Sequence, residues 1–497
     1  MAEKSPIHSL PRTFRLDVLA SDAADKVHEQ TLEVLEKVGI GVPSVSIRAG
    51  LGEAGAQIDN EQARVRFSAV LVEQALEQAP SAFELAGRVP ENDLAIDGEH
   101  GYLSVDGNAA EILDSATGER RPSTKDDLAR ISRLADALPE IGLLWQGVTA
   151  RDVPTSVHSL HELHAQLTNT SKHIQMMTAV TERTARGVVE IARAVAGGAD
   201  QLRQRPLLSA FQCSLSPLSY EAGALEAALV YAEAGVPCGF VVMPISCATA
   251  PATAGGLLVQ SNAEVVGGIV AMQMLAPGAP TLYGSCATVM DLRSGAVACG
   301  GPEDLFLQMA SAQLARRYRV PSIIGTFATG AKHPDWQAGV ENGLSGLASC
   351  LSGADLLTGA GLLFGARVFS MEEMVLDCEI FGLIRHLVTP AAMALDDAIP
   401  EVIAAVGPGG HYLGDPHTLA NMHRQWMPRL FDRSSWEEWE AAGQAGPREA
   451  AAERVRSLMK SHQPLPLEEA VEMEILRIID AYERQEESDE RAIGSLA

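Results

Sequence analysis

The segment Gly325-Thr326-Phe327-Ala328-Thr329-Gly330-Ala331-Lys332-His333-Pro334-Asp335-Trp336-Gln337 concentrates more chemistry than any other in the chain. From Phe327 to Gln337 it carries an imidazole, an ammonium, a carboxylate, an amide and two aromatic rings. Aromatic faces and carboxylates attract organic cations, and a His or Lys can hold a carboxylate. The competing reading is a strand-to-helix loop in which Asp335 caps the helix and Lys332 is solvated. Other polar groups stand in or beside apolar runs: Gln146, Lys172, His173, Gln175, Gln212, Cys213 and Tyr283.

Two patterns invite a metal or a cofactor. His158, His161 and His164 form H-x-x-H-x-x-H. On a 3.6-residue helix the third is turned about 120° from the first, so one helix cannot aim all three at one ion. Asp415-Pro416-His417-Thr418-Leu419-Ala420 nearly matches a D-x-H-x-x-G cobalamin-binding pattern, but Ala420 replaces the glycine and no βα units follow. Helix capping by Asp415, with Pro416 at the first helical position, accounts for it better.

The elements that must position these groups alternate. After a small α/β preface, with a helix over Ala24 to Val38, a strand at Ala63 to Phe67 and a helix from Ser68, turns at Asp97-Gly98 and Asp106-Gly107 flank a hairpin segment, Gly101 to Val105. Strand-like runs then occur at Ile141 to Thr149, His173 to Val180, Leu207 to Ser214, Cys238 to Ile245, Thr281 to Thr288, Ser322 to Thr329 and Leu356 to Leu363, with an eighth expected near Ala391 to Leu395. Helical stretches separate them. This rhythm predicts an α/β fold, a TIM (β/α)8 barrel over 136–400, with the preface over 1–135 and a helical extension over 401–497. In such a barrel the polar groups just past each strand come first as candidates.

Composition narrows the partners. Of 497 residues 46% are hydrophobic and 21% charged, and 38 Lys+Arg against 64 Asp+Glu leave a net charge of −26. That charge disfavours nucleic acid and anionic membrane surfaces. Seven scattered cysteines without a C-x-x-C pair, and an N-terminus without an apolar h-region, predict reduced thiols and a cytoplasmic protein.

Taken in order, Leu35 to Ile40, Asp114 to Thr124, Asn169-Thr170-Ser171-Lys172-His173, Ala331 to Glu341 and Ser370-Met371-Glu372-Glu373 resemble the trimethylamine methyltransferase family, over nearly the whole length. The family's founding members carry a pyrrolysine, whereas every position here is a standard residue, and the resemblance is specifically to the members that lack pyrrolysine and act on betaines. The resemblance implies a TIM barrel that moves a methyl group from a quaternary amine, glycine betaine first, to the Co(I) corrinoid of a separate protein. No tightly bound cofactor, no metal and a homo-oligomeric assembly are expected. A quaternary nitrogen leaves as a neutral amine, so no covalent catalytic residue is required. On that reading Phe327, Trp336, Tyr283 and Phe211, with Asp106, surround the cation, and His333, supported by Lys332 and Gln337, anchors the carboxylate. Two alternatives stand beside it: a Schiff-base aldolase or lyase using Lys172 or Lys332, and a betaine-binding protein that makes no product.

Overall fold

The computed structural model describes residues 6–115, 117–389 and 398–494, with side chains described through 486. Eight parallel strands close on themselves: β1 (His100–Val105), β2 (Ile141–Leu144), β3 (His173–Met176), β4 (Leu208–Leu215), β5 (Cys238–Val242), β6 (Tyr283–Ser285), β7 (Ser322–Gly325) and β8 (Leu356–Ala360). Closure comes from β8 pairing with β1, Leu356 opposite Tyr102 and Leu357 opposite Leu103. Each strand is followed by a helix: α1 (Lys125–Asp136), α2 (His158–Leu167), α3 (Glu182–Ala196), α4 (Ala224–Ala234), α5 (Ala254–Leu275), α6 (Pro302–Tyr318), α7 (Trp336–Ser352) and α8 (Met371–Val388). The fold is the (β/α)8 barrel expected.

One strand was misplaced in the sequence reading. The eighth strand of the barrel is Gly101 to Val105 itself, and the segment Ala391 to Leu395 lies outside the described residues. The barrel therefore begins inside the 1–135 segment drawn as the preface. Two other runs break early: Ile245–Ser246 and Thr288–Met290 leave the barrel and pair with each other beyond its rim.

Strand parity sorts the side chains. Tyr102, Leu143, Phe211, Val241, Ile323 and Leu356 point into the barrel, where Leu85, Leu94 and Ile96 of a short hairpin meet them. Their neighbours Leu103, Leu144, Ile324 and Leu357 point outward against the helices. At the opposite, carboxyl end, Glu111–Leu113 and Arg120–Pro122 join Leu362–Leu363 and Val368–Phe369 in a second small sheet. The Asp114 to Thr124 segment holds this hairpin down. Arg121 donates to both oxygens of Asp127 at 2.6 and 2.8 Å and to Asp114 at 3.1 Å, and Asp127 completes the capping box of α1.

The extension is helical where described. Asp415 accepts the His417 N–H at 2.8 Å, with Pro416 opening the short helix Pro416–Asn421. Ile475, Ile478 and Ile479 of the last helix are buried, and Tyr482 of the same helix donates to Glu190 of α3. The same helix meets the histidines of α2: His161 pairs with Glu483 at 2.8 Å and His164 lies 3.6 Å from Glu472. Among the described residues no helix is long and apolar enough to cross a membrane, and no group of three or more His, Cys, Asp or Glu side chains is placed to hold a metal ion.

Candidate functional site

A cavity of about 150 Å³ opens at the carboxyl ends of the strands. Asp106, one residue past β1, lines it together with Trp145 past β2, Met177 past β3, Cys213 on β4, Met243 past β5, Cys286 past β6 and Asp304 of α6. Glycine at 107 is what lets the chain turn directly after the carboxylate. Its φ is +140°, and a Cβ there would fall 2.5 Å from Leu362, also in the lining.

The cavity is acidic and soft. No Arg, Lys or His is in its lining. Burial raises the Asp106 carboxyl to about 6, against the opposing pull of the Thr358 hydroxyl and the Gly107 N–H. Burial likewise raises Asp304 to about 7, although it accepts the Gly300 N–H at 2.8 Å and the Gln308 amide at 3.0 Å. Cys213 and Cys299 are pushed up to about 12, first by burial and then by the neighbouring carboxylates, so both stay neutral thiols. The lining's hydroxyl and indole donors are already engaged: Ser214 with Glu264 at 2.5 Å, Thr288 with the Ala298 carbonyl at 3.0 Å and Trp145 with Gln175. The buried Gln308 Oε1 has no partner. Such a cavity accepts positive charge and hydrogen-bond donors rather than anions.

The residues singled out in the sequence divide between this cavity and its surroundings. Asp106 and Cys213 line it. Phe211 lies inside the barrel, its ring 5.4 Å from that of Trp145. Tyr283 and Phe327 point away from the barrel interior: the Tyr283 hydroxyl donates to Asn262 of α5 at 3.0 Å, and Phe327 packs in the helix-facing core with Ile384. For Phe211 and Tyr283 the strand register decides the direction, Phe327 lies past the end of β7, and none of the three rings is in the cavity lining. Gln146 is spent on Gln166 and on the Met177 N–H, and His173 bridges the Ala86 carbonyl and Ser209, where burial lowers it to about 4.

Of the dense loop after β7, Ala328 lines the cavity, but the polar and aromatic groups from Lys332 to Gln337 are not in its lining. Asp335 caps α7, accepting the N–H groups of Gln337 and Ala338 at 2.8 and 3.2 Å, and Gln337 donates to Glu341 at 2.9 Å. Trp336 is 85% exposed, and His333 is exposed. Lys332 donates to the Gly330 carbonyl at 2.6 Å and rests over the Phe364 ring, 4.9 Å from its centroid, with Arg367 at 5.4 Å. Phe364, Gly365 and Ala366 all have left-handed φ, and Ala366 lines the cavity. This loop is fastened to the β7 loop by Phe364 N–H to Ala331 O at 2.8 Å and Gly365 N–H to Thr329 O at 2.9 Å. Lys172 is at the other end of the barrel. Its ammonium donates to the carbonyls of Ala135, Leu138 and Ile141 at 2.6–2.8 Å, a full set of partners that leaves it no role as an amine nucleophile.

Trp145, Asp304 and Gln308 were missed in the sequence. Trp145 directly precedes Gln146, which was noticed, while Pro302-Glu303-Asp304 reads as an ordinary acidic first turn of a helix.

Fold and cavity define the class: a (β/α)8 barrel whose mouth holds a small acidic site free of bases. Residues 2–488 match the trimethylamine methyltransferase (MTTB) family, and the chain belongs to it. It is 35% identical over 471 residues, 95% of each chain, to the trimethylamine methyltransferase MttB of Desulfitobacterium hafniense (strain DSM 10664 / DCB-2). It is 32% identical over 468 residues, 94% of this chain and 97% of the other, to the glycine betaine methyltransferase of Desulfitobacterium hafniense (strain Y51). The crystal structure of the Methanosarcina barkeri monomethylamine methyltransferase (MtmB) aligns with a TM-score of 0.46 at 12% identity, covering 89% of this chain and 93% of that one.

Proposed function

We propose that this protein removes a methyl group from a quaternary ammonium compound bound in the mouth cavity and delivers it to the Co(I) corrinoid of a separate protein. The observation that carries this reading is the cavity itself: two buried carboxyls, soft sulfur and indole walls, and no basic side chain in the lining. Ionised Asp106 balances the permanent cation, while Trp145, Met177 and the neutral thiols enclose its methyl groups without competing hydrogen bonds. Holding one N-methyl in line with the mouth, in a site that excludes water, is the work left to the protein, because the departing group is already a neutral amine.

Glycine betaine is the first substrate to test, supported by the 32% identical relative of that name. Its carboxylate finds no cation in the lining, so it has to project past the 362–367 loop toward Lys332, His333 and Gln337. The corrinoid protein would meet the same rim, where Trp336 is open to solvent. The test is methyl transfer to reduced cobalamin, read by the cobalt spectrum, with glycine betaine, tetramethylammonium and trimethylamine. Conversion of a quaternary substrate is expected, and conversion of trimethylamine alone would refute the reading.

A further inference from the structure

We propose that the cavity selects a quaternary ammonium compound with an uncharged side chain bearing an alcohol close to the nitrogen, and that Gln308 is the residue that selects it. The inference deepens the methyl-transfer reading above and rests on it.

Asp304 and Gln308 stand four residues apart on one face of α6, and both line the cavity. Gln308 is only 4% exposed. Its amide nitrogen donates to Asp304 at 3.0 Å, and Asp304 also accepts the Gly300 N–H at 2.8 Å. That bond orients the amide and leaves its oxygen, Oε1, without a partner. A buried acceptor that no donor reaches is a costly defect, and a ligand hydroxyl removes it.

The rest of the lining narrows the ligand's side chain. Trp145, Ser214 and Thr288 each spend their donor on the protein, on Gln175, Glu264 and the Ala298 carbonyl. A carboxylate one carbon from the nitrogen, as in glycine betaine, would share about 150 Å³ with Asp106 and Asp304 and meet no cationic side chain there. A hydroxyl two carbons from the nitrogen brings no charge into that space. It donates to Gln308 while Asp106 balances the ammonium. The transfer itself is unchanged: the methyl carbon bonds to the cobalt electron pair as the C–N bond breaks, the C–N pair stays on nitrogen, and a neutral amino alcohol leaves.

Choline and n-propyltrimethylammonium test this, because they match in heavy-atom count and differ only in a hydroxyl against a methyl group. Calorimetric affinities would be measured for both, and for tetramethylammonium, with the native protein and Gln308→Met, which keeps the side chain's length without its carbonyl. The native protein is expected to bind choline about fivefold or more tighter than n-propyltrimethylammonium, and Gln308→Met to lose that preference while holding tetramethylammonium within about twofold of native. Methyl transfer to Co(I) cobalamin should also be faster from choline than from glycine betaine. Equal native affinities for choline and its propyl analogue, a preference that survives Gln308→Met, or faster transfer from glycine betaine would overturn the proposal. Should the variant not fold, the native affinity ratio and the choline-to-betaine rate ratio decide it by the same criteria. No transfer from choline, tetramethylammonium or glycine betaine would overturn the methyl-transfer reading and with it choline's part as a substrate, a failure that the affinities tell apart from failure of the Gln308 assignment.

Discussion

Affinity for a permanent cation should depend steeply on pH below neutrality, through Asp106. Its carboxyl is raised to about 6 by burial, so the fold favours its protonated form and the cation favours its ionised form. In the free protein this costs stability as pH rises. Between the ordinary carboxyl value of 3.8 and about 6 the folded chain binds the extra proton, and by pH 7 the difference amounts to about 3 kcal/mol. A bound cation offsets that penalty. At an effective dielectric constant of about 20, a unit charge about 4 Å away is worth up to about 4 kcal/mol, enough to hold Asp106 ionised. Tetramethylammonium affinity should therefore weaken about tenfold per pH unit below 6. Calorimetric titrations at a series of pH values would show it, with proton release growing as pH falls. Asp106→Asn should remove most of the slope and weaken binding at pH 8. A native affinity that does not change from pH 5 to 8 would refute the assignment of Asp106 as counter-ion.

Arg12→Ala should cost about 3 to 5 kcal/mol in denaturant unfolding, because Asp355, buried and bonded to Ser322 at 2.8 and 2.9 Å, would lose its guanidinium partner. Lys172→Met should lower stability through three abandoned carbonyls, and borohydride with keto acids should leave no adduct on Lys172 of the native protein. His333→Ala should reduce kcat/KM on glycine betaine about ten- to a hundredfold but hardly alter tetramethylammonium if His333 holds the carboxylate; equal effects would move it to the corrinoid-protein contact.

The barrel was legible because its strands are buried on both faces and read as apolar runs, from Ile141 to Leu144 through Leu356 to Ala360. The exception is informative. His100–Val105 sits between the Asp97-Gly98 and Asp106-Gly107 turns, which by themselves read as the ends of a hairpin, whereas the second turn is the site-bearing end of a barrel strand. The second strand's end was overrun because Trp145 to Val148, which follow it, are themselves buried, and the third's because Met177 to Val180 are at most half-exposed. The site was read less well for a related reason. Aromatic type alone cannot tell Phe211 and Tyr283, whose directions follow from register, from Trp145, which sits where the strand has ended. In the β7 loop, the density of functional groups belongs to a helix cap and an exposed rim, while the cavity draws its residues from the ends of many strands, one to three from each.

Closure of the barrel has a consequence for biosynthesis. The strands that complete the ring, paired through Leu356 and Tyr102, are roughly 250 residues apart in the chain, and Asp106 and Thr358 meet only across that seam. During synthesis β1 waits as an unpaired edge until β8 has left the ribosome, exposing its Tyr102-Leu103-Ser104-Val105 ladder groups to mispairing for most of translation. The acidic pocket is thus among the last features to form, and a truncated chain lacking β8 would emerge with an open edge and half of its Asp106 hydrogen bonding missing.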